Sequence, residues 1–140
     1  MDAKTLNKRK KTAIAITLIL FFLSLITKVY KIDEGNINPT GYEIFAAGWI
    51  AVLNLDIYWM ANPISVLAII FFLFGKIRIS LVLSAIALII AIVFFILVKM
   101  ESAPIEQIGK ITSIGPGYYF WVASIFTVFI SSIQLLRYSK

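Results

Sequence analysis

Apolar residues run along this chain in long uninterrupted blocks bounded by charge, instead of recurring on one face at helical spacing as in a water-soluble helix. Crossing a hydrocarbon core of roughly 30 Å takes about 20 apolar residues, and four blocks predict spans. The first covers 12–29, the second 57–75, the third 79–98 and the fourth 118–136. The third carries no charge, and the fourth holds one strongly polar side chain, Gln134. The pattern predicts an all-α integral membrane protein, a four-helix antiparallel bundle forming a single membrane domain over residues 1–140.

A fifth apolar stretch, residues 44–55, is too short for a crossing, because twelve residues of helix reach only about 18 Å. It is apolar around its whole circumference, so it predicts a re-entrant or interfacial helix half-inserted between spans one and two. The second span opens on Trp59-Met60-Ala61-Asn62-Pro63. Proline removes a backbone donor and disfavours helix in the residue before it. The span therefore either begins at Pro63 or is kinked there, with Asn62 satisfying the freed carbonyls. Asn54, Asp56 and Asn62 then converge on one outer region near Trp49 and Trp59. Two readings stay open for this polar cluster, a small site for an ion or lipid headgroup and a hydrogen-bonded cap that closes the kink. Before the fourth span, Gly115-Pro116-Gly117 marks a tight turn with Pro116 near the first helical position.

Helices in lipid meet through small residues, since lipid tails are as apolar as leucine. Ser80, Ser84, Ala87 and Ala91 on the third span, Ala123, Thr127 and Ser131 on the fourth, and Ala61, Ser65 and Ala68 on the second form stripes predicted to face inward. Homo-oligomerisation through one of them is the alternative.

Composition sharpens the class. Apolar residues make up 61% of the 140 and charged residues 14%, with a mean hydropathy of +0.95, too little charge for a soluble surface. The absence of Cys and His excludes disulfides, thiolate chemistry and imidazole metal sites. No cofactor is expected, and no nucleophile stands beside a base, so the chain reads as non-enzymatic.

Charge orients the spans. With the N-terminus inside, nine of the thirteen basic residues fall on the cytoplasmic side and six of the seven acids outside, as the positive-inside rule requires. Both termini are thus predicted to be cytoplasmic, with the basic N-terminus meeting anionic lipid. The basic balance reflects topology and gives no support to nucleic-acid binding. Lys8 to Lys11 followed by an apolar run imitates a secretory signal, yet no small-x-small pattern follows, which predicts an uncleaved first helix. Tyr30, Tyr42, Trp49, Tyr58, Trp59, Tyr118, Tyr119 and Trp121 all fall near the outer boundary. They predict either lipid anchoring or an outer aromatic cap, with Trp49, Trp59, Tyr118, Tyr119 and Trp121 as its centre.

Gly48-Trp49, the Trp59-x-Ala61-Asn62-Pro63 element and the Gly117-Tyr118-Tyr119-x-Trp121-x-x-Ser124 element together resemble an uncharacterised bacterial family of small four-span membrane proteins. The resemblance covers most of residues 41–125 and implies a fold and a bacterial cytoplasmic (inner) membrane, not an activity. The expected role is interaction with another membrane or envelope component, in defence or immunity for instance, through a protein partner or a homo-oligomer within the lipid bilayer. The alternative is a subunit of an oligomeric channel or transporter.

Overall fold

The computed structural model describes residues 3–32, 38–53, 58–100 and 111–138, with the side chains of residue 3 and of residues 49–53 outside that description. Helix dominates, in five segments. The first, α1 (Ala3–Ile26), takes its opening turns from a basic segment in which Lys4, Leu6, Lys8, Arg9, Lys10 and Lys11 are good helix formers. Its apolar part is therefore only Thr12 to Ile26, about 22 Å long. It stops three residues short of the predicted span because the Val29 N–H turns away to the Pro39 carbonyl (3.0 Å) instead of back along the helix. The chain then extends into a short strand, β1 (Tyr30–Ile32).

Helix α2 (Gly41–Leu53) begins three residues ahead of the apolar stretch that predicted it. A capping box explains the earlier start: the Thr40 N–H donates to Glu43 Oε2 (2.6 Å), and the Glu43 N–H to Thr40 Oγ1 (3.3 Å). A single 3-10 turn, Tyr58–Met60, leads into α3 (Ala61–Leu73). Pro63 lies in the first turn of α3, where its missing donor has no helical acceptor to lose, so the helix starts ahead of the proline and needs no kink. Its C-terminus closes as a Schellman motif, Lys76 N–H to Phe71 O (2.9 Å) and Gly75 N–H to Phe72 O (3.1 Å). Gly75 takes the left-handed conformation the motif demands, φ 76°. Next come α4 (Ile77–Lys99), a second strand β2 (Ile111–Ile114) and α5 (Pro116–Tyr138), which opens on the predicted proline. Of the four predicted spans, α4 and α5 are long and apolar enough to cross a membrane, while α1 is shortened by its basic turns and α3 by the residues that open it.

The strands form an antiparallel ribbon with Tyr30 opposite Ile114 and Ile32 opposite Ile111, a feature the helical pattern did not predict. Helix α1 packs on α5, α5 on α4, and α4 on α3. Each pair runs antiparallel. Arg9 stands over the Tyr138 ring (5.7 Å), whereas the Gly117 N–H reaches the Lys28 carbonyl (2.8 Å), so α1 and α5 are reversed. Lys10 Nζ reaches the carbonyl of Leu73, placing the α3–α4 turn beside the start of α1. One end thus gathers the basic segments, and the other carries α2, the 3-10 turn and the ribbon.

Near the basic end Ala13, Ala68, Ile69, Phe72, Val128 and Leu135 form the packed core. Ser80, Ser84, Ala87 and Ala91 are all buried, as are Ala61, Ser65 and Ala68. Ser80 Oγ donates to the Ala68 carbonyl (2.8 Å), joining α4 to α3. On α5 the predicted stripe is displaced by one residue. Ala123, Thr127 and Ser131 are half-buried, and Ser124, Val128 and Ser132 turn fully inward, because α5 wedges between α1 and α4 and Val128 fills the core. Outward, α1 shows Ile16, Ile19, Phe22 and Ile26, the last two 62% and 72% exposed, and α4 shows Ile79, Val82, Ile86, Ile89, Val93 and Ile96. Contiguous rows of exposed isoleucine and phenylalanine are uncommon on a surface that faces water.

Candidate functional site

The end opposite the basic loops is built around the C-terminus of α1. A helix leaves its last carbonyls unpaired, and here the chain beyond it is bonded from both sides. The Gly41 N–H donates to Thr27 O (3.1 Å) and the Val29 N–H to Pro39 O (3.0 Å), tying in the start of α2. The Gly115 N–H donates to Val29 O (2.7 Å) and the Gly117 N–H to Lys28 O (2.8 Å), tying in the start of α5. Two helix N-termini, each the positive end of a macrodipole, thus meet the negative end of a third. In front of them Glu43 also accepts from the Thr40 hydroxyl (2.9 Å). Bonds from the Thr40 N–H and then its hydroxyl hold the Glu43 carboxyl below the usual carboxylate range, with slight desolvation opposing and Lys28 adding attraction.

Beneath this junction lies a cavity of about 120 Å³ walled by all five helices. Phe21, Ser24 and Leu25 come from α1, Val29 and Tyr30 from the chain after it, Gly41, Ile44 and Phe45 from α2. Tyr58, Trp59 and Asn62 close the α3 side, Ala91 and Phe94 the α4 side, and Gly117, Tyr118 and Trp121 the α5 side. Half of these sixteen are aromatic, and none is charged.

Most hydrogen-bonding groups on the wall are engaged within the protein. The Tyr118 hydroxyl donates to Ala91 O (2.6 Å), Trp121 Nε1 to Ser65 Oγ (3.3 Å), Ser24 Oγ to Phe21 O (2.6 Å) and Trp59 Nε1 to Ile44 O (3.4 Å). The Ser65 hydroxyl in turn donates to the Asn62 backbone carbonyl (2.7 Å). Asn62 does not cap α3: the residue flanking that helix is Met60, without a side-chain cap bond, and Asn62 is one of the residues lining the cavity, its side chain making no hydrogen bond among the described residues.

The predicted aromatic centre therefore divides. Tyr118, 6% exposed, and Trp59 are buried and Trp121 lines the cavity, whereas Tyr119 is 52% exposed and points away. Tyr118 joins the rings of Phe94, Phe95, Tyr119 and Trp121, at centroid separations of 5.9 to 6.3 Å. Trp49 lies on α2 with its side chain outside the described residues, and Asn54 and Asp56 lie outside them altogether. Sequence reasoning missed Phe21, Ser24, Phe45 and Phe94. Phe94 carried a usable signal, following the small Ala91 at the spacing of one helical turn.

Elsewhere among the described residues, Thr17 Oγ1 and Ser132 Oγ are buried without a hydrogen-bond partner, and neither lines the cavity. No group of three acids, histidines or cysteines that could hold a metal forms among the described residues. No family model matches the chain, no curated protein matches it, and no solved structure matches it.

Proposed function

We propose that this chain is a four-span protein of a bacterial cytoplasmic membrane, with both termini on the cytoplasmic side, that acts by binding another membrane or envelope component. The observation that carries the binding role is the uncharged aromatic cavity at the end away from the basic loops. Ligand sites are typically concave, mostly apolar and equipped with a few placed polar groups. The membrane reading draws on the two long apolar helices and on the isoleucine and phenylalanine rows that α1 and α4 turn outward. For α1 and α3, short by length alone, Lys8 to Lys11 snorkel at one boundary and the 3-10 turn extends the other. The family resemblance carried by the Gly-Trp, Trp-x-Ala-Asn-Pro and Gly-Tyr-Tyr-x-Trp elements points the same way.

The deciding experiment is purification in mild detergent followed by mass determination of the intact assembly. The expected result is a mass above the 15.7 kDa of the chain by that of a bound component. Recovery of the bare chain, or of a homo-oligomer that passes ions when reconstituted, overturns the proposal.

A further inference from the structure

We infer that the cavity under α2 takes a short neutral amphiphile, an apolar body of roughly five carbons carrying one uncharged hydrogen-bonding group directed at Asn62. This rests on the binding role proposed above and names the ligand class of the same site.

Size sets the body. An apolar cavity of about 150 Å³ holds the six carbons of benzene, so 120 Å³ in a cavity open on one side takes an apolar body of about five. Chemistry sets its character. Tyr118, Trp121, Ser24 and Trp59 have their donors engaged inside the protein, and the wall is mostly apolar, half of its residues aromatic and none charged. A mostly apolar concave wall of this kind favours an apolar guest. Of the lining residues, Asn62 carries a side-chain amide with no hydrogen bond among the described residues, and an amide both donates and accepts, so it suits an alcohol, ester or amide. An organic cation fits less well: aromatic rings attract it, but no carboxylate on the wall neutralises it.

The test titrates bromopentanol into the full-length protein in detergent and reads tryptophan emission, which bromine quenches at contact. Trp59 and Trp121 both line the cavity. Saturable quenching is expected in the parent and is expected to vanish in Ala91→Phe, which fills the space. Ala91 is fully buried, so a second variant guards against misfolding. Asn62→Leu keeps the volume and removes the polar group, and should weaken bromopentanol about 2- to 10-fold while leaving bromopentane unchanged. Quenching that never saturates, that survives in a folded Ala91→Phe, or that tetramethylammonium displaces would overturn the assignment. A bound component that persists while bromopentanol fails sinks the ligand class alone. Saturable bromopentanol binding to a chain that purifies bare sinks the binding role instead.

Discussion

The indole of Trp59 fills the space that a Cβ would need at Gly48, and its Nε1 reaches back to the Ile44 carbonyl one turn earlier in α2. The 3-10 turn before α3 is thereby pressed against α2, and that helix is held at its middle as well as at its capped start. Gly48→Ala should displace the ring. Overpacking of this kind costs about 1–3 kcal/mol, so the detergent melting temperature should fall and Trp59 should become accessible to iodide. An unchanged melting temperature would show that the contact is not held.

Tyr118 is a structural bond across helices as much as a wall of the cavity. Tyr118→Phe keeps the ring cluster and leaves the Ala91 carbonyl without its second donor. Hydrogen bonds between membrane helices average about 0.6 kcal/mol, up to about 1.7, so a modest fall in stability is expected. Tyr118→Ala should cost clearly more, since it also removes four ring contacts. Equal losses in the two variants would argue that the rings contribute nothing.

The capping box makes the start of α2 sensitive to acid. Glu43 titrates below its ordinary value in the folded protein, so its contribution is fully present above the ordinary carboxylate range and is lost as the pH falls through the lowered value. Protease cleavage between α1 and α2 should accelerate on acidification across that window. Glu43→Gln should remove the pH dependence while keeping a weaker cap, and a pH profile identical to the parent's would refute the role.

At the opposite end, Gly75 holds φ 76° in the turn between α3 and α4. A side chain in the left-handed region costs about 1–2 kcal/mol. Gly75→Ala should lower stability by that order in thermal unfolding, without touching bromopentanol binding.

Orientation is open to direct labelling, because the chain has no native cysteine. Single cysteines at Lys4 and Lys76 should stay protected from an impermeant maleimide in intact cells, and one at Thr112 should react. Labelling at Lys4 in sealed cells would invert the topology.

The helices were readable because each is written over many residues: a charge-free block such as Ile79 to Val98 leaves no competing element. Boundaries were less legible. The box at Thr40 and Glu43 lies ahead of the apolar stretch, and the end of α1 is set by where Pro39 and Gly115 arrive, which no local pattern encodes. The ribbon escaped because Tyr30–Ile32 and Ile111–Ile114 are too short for a period to register. On α5, small residues offer two neighbouring rows, and only the packing of Val128 into the core chooses between them. Tyr118 and Tyr119 read alike as boundary aromatics, but a helix turns adjacent residues about 100° apart, so one is buried and the other is not.

The carbonyls that follow α1 have a consequence for the order in which the protein is made. Lys31 meets Thr112 across 81 positions of sequence, and Lys28 and Val29 wait for partners just as distant. During synthesis the first helix leaves the ribosome long before Gly115 and Gly117 do. The carbonyls at the exit of α1 must therefore stay with water until the last helix arrives. A chain released before α5 would retain its apolar helices yet keep an open seam beside α1, and quality-control proteases that seek unpaired backbone would find it there.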